Sequence, residues 1–363
     1  MDLDEVKWFL QKCENAKYKD RIIELRKIVF KDEDVDKENP DFWDWEFSDN
    51  YAGSAKLFLA IDQETVVGHY AVCPSHILVD GEVKKGSIVV DVMTHPDYRF
   101  QGMFARIGKY SLDESGKDGI DFSYGFPIRK SVMPGHLKVG WKIAFPLPVY
   151  VYPISFSQII YKFIPWAPLA YVMGCLPQLF FESHRRISAL LGKRVTIIEK
   201  DSFVKTPELL AFIEKTKTQH RIIQYRDWNF LNWRYNSNHY RKYKVFFAYT
   251  QDEMMAGYAV TKESLIYGLN CTVLIDMQVL NCDKKCINAL LRSVYQHAKL
   301  VGTALVGCMM NKNVYKTQLL KNLFVKSPYI FKFIVHQNND MDYMDKLLVS
   351  ENWFISWADT DDL

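Results

Sequence analysis

The sequence lacks a dominant charge of either sign. Its 46 lysines and arginines are nearly balanced by 43 aspartates and glutamates, which leaves a formal net charge of +3 over 363 residues. A balance this small gives no support, through net charge alone, for binding to nucleic acid or to an anionic membrane. The first twenty residues carry many charges and lack the apolar core of a signal peptide, which favours a cytoplasmic protein.

Cysteine is scarce, and the seven cysteines are scattered. Cys282 and Cys286 are four residues apart, but no cysteine or histidine follows them at zinc-finger spacing. We therefore expect free thiols in a reducing compartment and no metal site. The motifs HExxH, GxSxG, GxxxxGK[ST] and GxGxxG are also missing, so the metalloprotease, serine-hydrolase, P-loop and dinucleotide-binding classes lack support.

What is present is an ordinary globular composition, with 48% apolar and 25% charged residues. This mixture excludes a disordered or fibrous chain. A single hydrophobic core rarely serves a chain longer than about 250–300 residues, so the length predicts two domains. Alternating apolar patterns predict hairpin strands at 55–62 and 65–72, and two more strands within 75–94 around the turn dipeptide Asp80-Gly81. A helix over 104–119 and a strand over 120–127 follow.

The centre of the chain is unusually apolar. Between Ile143 and Phe181 the one charged residue is Lys162. A membrane span needs about 20 apolar residues, but six prolines interrupt this segment, and each disrupts a helix interior. We therefore predict no transmembrane span. The segment is interpreted as a buried connection between domains or an apolar wall of a substrate cleft, with peripheral membrane contact left open.

Four sequence blocks recur in the same order. FWDWEF (42–47) matches FLNWRY (230–235) at an offset of 188, and LFLAI (57–61) matches VFFAY (245–249) at the same offset. VGHYAV (67–72) then resembles AGYAV (256–260), and VVDVM (89–93) resembles LIDMQ (274–278), which pairs Asp91 with Asp276. The repeat predicts two copies of one α/β unit. The predicted limits are a first domain at 1–150, a proline-rich connection at 151–200 and a second domain at 201–363.

The copies differ in the turn after the last block. In the first copy, THPDYRFQGMF links a strand that ends near Thr94 to a helix that begins near Phe104. The N-terminus of a helix exposes unpaired N–H groups and attracts anions. Gly102 lets the backbone approach such an anion closely, and Arg99 adds charge-assisted hydrogen bonds. The turn therefore predicts a diphosphate cradle, and the second copy lacks both the arginine and the glycine.

The segment VVDVMTHPDYRFQGMF resembles the signature of the GNAT superfamily, the Gcn5-related acyl-CoA N-acyltransferases. The superfamily pattern is Gln/Arg-x-x-Gly-x-Gly/Ala; Arg99 and Gly102 match it, whereas Phe104 stands where glycine or alanine is usual. SYGFP (123–127) and KVGWK (138–142) extend the resemblance, which covers about 20–150. It implies an α/β (α+β) fold with two tandem GNAT-like units, each a mixed, splayed β-sheet flanked by helices, the second degenerate.

The resemblance also implies a function. Acetyl-CoA would be the cosubstrate, without a metal, and its acetyl group would pass to the primary amine of a small molecule or peptide by direct attack. The backbones of Val92, Met93 and Thr94 would bind the pantetheine arm. The pyrophosphate would be bound by the side chain of Arg99 and by the N–H groups of Phe100, Gln101, Gly102, Met103 and Phe104.

Four residues are candidates for proton transfer. Many superfamily members use a tyrosine in the helix after the fifth strand as the acid, but none lies between Ile128 and Gly140, which leaves His136 and Tyr124. Asp91 lies within an apolar strand, where burial would raise its pKa and make it a base. His69 titrates in the useful range. Because Asp276 occupies the matching position of the second copy, a structural role for Asp91 stays open.

Two other functions stay open. Aminoacyl- or peptidyl-transferases of the cell-wall type also use tandem GNAT-like units and take a charged tRNA as donor, although the small net charge and the phosphate turn argue against this class. A non-catalytic acyl-CoA-binding module is the other alternative, because the helix tyrosine is missing and Phe104 departs from the signature.

Overall fold

The computed structural model describes residues 7–13, 16–31, 35–190, 195–266, 268–339 and 344–361. Its elements from residue 8 to residue 138 are β1 (Trp8–Cys13), α1 (Lys19–Phe30), α2 (Pro40–Trp43), β2 (Lys56–Asp62), β3 (Thr65–Val79), β4 (Glu82–Thr94), α3 (Met103–Lys117), β5 (Phe122–Gly125) and α4 (Met133–Lys138). The predicted helix, the strand at β5 and both hairpin turns are present in this region. The runs predicted as separate strands at 65–72 and after residue 75 form one continuous strand, β3, so three strands stand where four were predicted. Asp80 and Gly81 form the turn between β3 and β4, each with positive φ, as a tight hairpin turn requires.

The elements after residue 138 are β6 (Lys142–Pro153), α5 (Phe156–Phe163), α6 (Ala167–Leu190), β7 (Thr196–Lys200), α7 (Pro207–Thr216), β8 (Ile222–Gln224), α8 (Trp228–Leu231), β9 (Tyr243–Tyr249), β10 (Met255–Ile266), β11 (Leu269–Val279), α9 (Lys284–Leu300), β12 (Leu305–Met309), α10 (Asn313–Lys321), β13 (Val325–Gln337), α11 (Met344–Leu347) and β14 (Trp353–Phe354). The chain divides into two units. Unit 1 comprises residues 1–145 and 332–349, and unit 2 comprises residues 146–331 and 350–363.

Unit 1 is a mixed sheet between two helical layers. Strands β1 to β4 are antiparallel neighbours in order, and β5 runs parallel to β4. One face of the sheet buries apolar side chains of α1 and α2, such as Ile22 and Trp43, against β2. The other face buries Met103 and Ile107 of α3 against β3 and β4. The burial of both faces explains why these strands are nearly continuous apolar runs.

The last strand of unit 1 comes from far along the chain. Residues 334–337 of β13 pair antiparallel with β5, with Ile334 opposite Gly125. The adjacent Phe333 packs its ring against Tyr124, Phe126 and Phe145. The predicted limits assign all of 201–363 to the second domain, so the structure differs from them here. Backbone hydrogen bonding to β5 places residues 334–337 in unit 1, and a hydropathy pattern does not reveal which strands pair.

Unit 2 contains a sheet in the order β6-β12-β11-β10-β9-β7. Its helix α8 is followed by a π-helical turn at Asn232–Asn236, just as α2 is followed by a π-helical turn at Asp44–Ser48. Helix α8 and its π-helical turn begin and end 188 residues after α2 and its turn. This is also the offset between the first matched sequence blocks. The order of elements from β2 to α4 also recurs from β9 to α10.

The apolar central segment consists of a strand and two helices. Residues 142–153 form β6, and residues 156–190 form α5 and α6, which pack against each other as a helical hairpin. Many large apolar side chains of this hairpin are exposed, including Leu176 at 80%. The interpretation as a buried connection is therefore wrong for the helices. Among the helices of the described residues, none combines the length and the hydrophobicity that a membrane span requires.

The seven cysteines are free thiols, and five of them are buried. Among the described residues, no group of three or more histidine, cysteine, aspartate or glutamate side chains is arranged to hold a metal ion.

Candidate functional site

The sheet of unit 1 opens between β4 and β5. The two strands pair only from Gly86 opposite Phe122 to Ile88 opposite Tyr124. Beyond Ile88, β4 continues to Thr94 with pairing to β3 alone in the described structure. The backbone edge of residues 92–94 on the β5 side thus lies without a strand partner among the described residues, and an extended ligand can hydrogen-bond to such an edge.

A β-bulge accompanies the opening. Between the pairs His69–Met93 and Ala71–Val90, one residue of β3 opposes two residues of β4. Asp91 takes a φ of +46° at this point, which is rare for an aspartate inside a strand. Bulges bend and twist the strand that carries the extra residue, so this bulge directs the end of β4 away from the line of β5.

The turn after β4 leads into α3. Its N-cap is Gly102, which has a φ of +74° and supplies no side chain to the N–H groups of the first helical turn. Tyr98 donates a hydrogen bond of 2.6 Å to Asp62, and the indole of Trp8 donates one of 3.4 Å to Gln101, and both fix the turn. Arg99 is exposed. The uncapped helix N-terminus and the arginine can together bind an anion such as a pyrophosphate.

The corresponding helix of unit 2 is closed to an anion. Its N-cap is Asp283, whose carboxylate accepts a hydrogen bond of 2.8 Å from the backbone N–H of Cys286. The side chain satisfies the helix terminus and places a negative charge where a phosphate would lie. The sequence analysis shows that the arginine and the glycine are missing there, but it does not predict the aspartate cap.

Phe104 departs from the signature, and the structure shows how its ring is accommodated. The ring packs edge-on against His136 of α4, with centroids 5.0 Å apart. A Cβ on Gly135 would lie 2.6 Å from two atoms of this ring, so α3 and α4 fit together only because residue 135 is glycine. Sequence reasoning missed Gly135, although a glycine within the short helix MPGHLK was a visible signal.

His136 lies in an aromatic enclosure of Tyr70, Phe104 and Trp141. Burial lowers its pKa to about 4, and its Nδ1 atom has no hydrogen-bond partner. The ring is therefore neutral at pH 7 and holds no imidazolium proton to donate to a leaving thiolate. This state argues against the predicted role as acid.

Asp91 is held as a carboxylate. Its Oδ1 atom lies 2.6 Å from Nη1 of Arg26 and 3.8 Å from Nζ of Lys37, which also donates a hydrogen bond of 3.1 Å to Glu46. Burial alone would raise the pKa of Asp91, but Lys37 and Arg26 outweigh burial and lower the pKa to about 2. The expectation of a raised pKa is therefore wrong, because the sequence pattern does not reveal the two cations.

His69 is completely buried, and its Nδ1 atom lies 2.7 Å from the backbone carbonyl oxygen of Asp91. A carbonyl oxygen only accepts hydrogen bonds, so Nδ1 carries the proton and Nε2 carries the lone pair. Nε2 has no hydrogen-bond partner. Burial lowers the pKa of His69, which keeps the ring neutral at physiological pH. The bulge therefore orients one unpartnered imidazole nitrogen.

Tyr124 is buried on β5 at the last pair before the sheet opens. Its hydroxyl lies 3.4 Å from the hydroxyl of Ser75, and its ring packs against Phe126 and Phe333. The predicted role of Tyr124 as acid stays a prediction. The structure thus gathers Asp91, His69 and residues 92–94 around the bulge, whereas His136 lies between α3 and α4.

Comparison with protein-family models gives one match for this region. Residues 14–144 match the family described as the acetyltransferase (GNAT) domain. Residues 14–144 form a GNAT domain. The match covers the signature turn, the bulge and the opening of the sheet. A search of curated protein sequences finds no significant match.

Solved structures share the fold over most of the chain. A GCN5-related N-acetyltransferase from Anabaena variabilis superimposes with a TM-score of 0.62 at 11% identity, covering 91% of this chain and 73% of that one. A conserved protein from Enterococcus faecalis, described as a probable N-acyltransferase, gives 0.64 at 14%, covering 93% and 75%. Saccharomyces cerevisiae N-myristoyltransferase with bound myristoyl-CoA gives 0.59 at 10%, covering 91% and 82%. At these identities the similarity concerns the fold.

Proposed function

We propose that this GNAT protein is an acyl-CoA-dependent N-acyltransferase that transfers an acetyl group from acetyl-CoA to a primary amine. One observation carries the proposal: the edge of β4 that has no strand partner among the described residues is followed, after the turn at 95–102, by the uncapped N-terminus of α3. Acetyl is the proposed acyl group because the matching family is described as an acetyltransferase domain.

The donor binds to two backbone features. The amides of the pantetheine arm pair with Val92, Met93 and Thr94, as an added strand pairs with a sheet edge. The pyrophosphate binds to Arg99 and to the N–H groups of residues 100–104, where the helix dipole favours negative charge. Both features rest on local backbone groups and on one arginine side chain, which explains how a chain with a net charge of +3 can bind a highly anionic cosubstrate.

In the reaction, the amine nitrogen attacks the thioester carbonyl carbon. The N–C bond forms, the C–S bond breaks, and the pair of electrons leaves with the sulfur. Backbone N–H groups near the bulge stabilise the oxyanion. A thiol has a pKa of about 8.5, so the thiolate can leave without a dedicated acid. This argument removes the need for an acid at His136 or Tyr124.

The amine nitrogen loses one proton as the amide forms, and of the proposed bases His69 is the better suited to accept it. Its neutral ring has a lone pair on Nε2, and the bond from Nδ1 to the Asp91 carbonyl fixes this tautomer. Asp91 is better suited to positioning, because Arg26 holds it as a carboxylate while its backbone orients His69. We propose that unit 2 supplies no second acyl-CoA site, since Asp283 caps its corresponding helix.

Isothermal titration with acetyl-CoA tests the donor site. We expect one molecule bound per chain, and we expect Gly102→Glu to abolish binding, because its carboxylate lies at the helix N-terminus. Gly119→Glu is the matched control: Gly119 has a φ of +75°, and, as at Gly102, a Cβ would meet nothing within 4 Å. The control therefore introduces the same backbone strain and charge after the C-terminal end of α3.

The same protein is then incubated with acetyl-CoA and a panel of primary amines, and release of free thiol is measured. Release above hydrolysis supports the transferase. Binding without release favours the acyl-CoA-binding module. No binding at about 1 mM acetyl-CoA, a concentration that detects even weak complexes, contradicts the proposal. Binding of aminoacyl-tRNA instead would move the protein to the peptidyl-transferase class.

A further inference from the structure

The α5–α6 hairpin of unit 2 carries its apolar side chains on the outside. Phe163 and Trp166, at the junction of the helices, are 77% and 61% exposed. Along α6, Val172, Leu176 and Phe180 are 67%, 80% and 60% exposed. Their spacing of four residues places them on one face of the helix. Contiguous exposed apolar surface of this kind marks a binding surface rather than a free one.

The opposite face of α6 is small and polar, and it anchors the hairpin. Ala170 is buried, and Gly174 approaches α5 so closely that a Cβ there would lie 3.0 Å from the backbone nitrogen of Ser157. Gln178 accepts a hydrogen bond of 3.1 Å from the Phe156 N–H and donates one of 3.0 Å to the Ile154 carbonyl. These inner contacts are specific and fix the orientation of α6. The apolar face of α6 is therefore held on the outside.

The charges around this face have one sign. Lys162 and Arg186 are exposed, whereas Glu182, the one acidic residue of the two helices, is paired with Arg185 and Lys299. The apolar face is thus bordered by two cations without an uncompensated acid among the described residues of the hairpin. Such a border is complementary to anionic headgroups.

A groove of about 680 Å³ continues the apolar surface between the hairpin and the β10–β11 turn. Tyr161, Tyr171 and Leu269 line it together with Leu265, which is itself 69% exposed. The groove is large enough for part of a lipid acyl chain.

We propose that the outer face of α5–α6 lies on an anionic lipid bilayer, with both helices in the membrane plane. Trp166, Tyr161 and Tyr171 combine an apolar ring with a polar group, which suits the boundary between headgroups and acyl chains. A protein partner is less suited to this face, because a protein interface needs about one hydrogen bond per 100–200 Å² and these exposed side chains offer few. This inference does not depend on the proposed acyl transfer.

Flotation of the full chain with lipid vesicles tests the proposal. We expect the protein to float with vesicles of phosphatidylcholine and phosphatidylglycerol, and less with phosphatidylcholine alone. Phe163→Glu with Leu176→Glu should reduce the vesicle-bound fraction at least tenfold. Val204→Glu with Leu320→Glu is the matched control, since these residues of unit 2 are 61% and 54% exposed outside the hairpin. The control should float like the unaltered protein.

Circular dichroism and light scattering accompany the flotation. Native spectra for both double variants show that the substitutions act at the surface. If the unaltered protein fails to float, or if both variants lose flotation equally, the proposal is overturned. It is also overturned if the unaltered protein is a dimer that the hairpin variant converts to a monomer, because a second copy then covers the face.

Discussion

At the scale of single residues, the pair of Arg26 and Asp91 shows how a partner distant in sequence changes the chemistry of a carboxyl group. Both side chains are at most 7% exposed, and the bulge holds the aspartate at positive φ. A buried carboxyl without cations would be protonated near neutral pH. Because Lys37 and Arg26 of α1 both lie beside it, the group stays ionised and is unsuited to act as a base.

Arg26→Met should destabilise unit 1 strongly. The substitution leaves Asp91 buried with only the more distant Lys37, and breaking such a pair costs about 3 kcal/mol. The measurement is the free energy of unfolding from urea denaturation followed by circular dichroism. Arg21→Met is the control in the same helix: Arg21 pairs with Glu64 at the surface, and the change should cost less than about 1 kcal/mol. Equal losses in both variants would contradict the assigned role of the buried pair.

At the scale of elements, the two helix N-termini differ through one residue. Gly102 leaves the first turn of α3 uncapped, whereas Asp283 closes the first turn of α9. Helix capping is a local interaction, so the sequence around each turn contains this difference. The packing of α3 against α4 is not local, because Phe104 and Gly135 are 31 residues apart. The Phe104 ring fits only because residue 135 has no side chain.

Gly135→Ala should destabilise the protein by about 1–3 kcal/mol despite the higher helix propensity of alanine, because the new methyl group overlaps the Phe104 ring. Phe104→Ala with Gly135→Ala should be more stable than the sum of the single changes predicts, since the smaller side chain removes the overlap. Chemical denaturation of the four proteins measures this coupling. Strict additivity would show that the two residues do not share one contact.

At the scale of the whole molecule, unit 1 is assembled from two distant parts of the chain. Residues 334–337 form the outer neighbour of β5, and Phe333 completes an aromatic cluster with Phe126 and Phe145. Without this strand, the backbone groups of β5 on that side lose their partners, and buried aromatic rings become exposed.

A fragment of residues 1–150 should therefore fail to fold cooperatively, although the sequence predicts it as a domain. The same fragment joined by a flexible linker to residues 332–349 should regain a cooperative thermal transition. Circular dichroism and proteolysis of the two fragments make the comparison. A cooperative transition in the shorter fragment would show that unit 1 folds without the strand formed by residues 334–337.

The sequence alone determined the features that depend on neighbouring residues: the hairpins, the turn from Arg99 to Phe104 and the helix that follows it. It also contained the GNAT signature and the recurrence at an offset of 188, because both are patterns along the chain. Only the tertiary structure decided which cations surround Asp91, which glycine receives Phe104, which strand borders β5 and which face of α6 meets solvent. Each of these depends on contacts between distant segments, and hydrophobic periodicity reports how apolar a face is but not what lies against it.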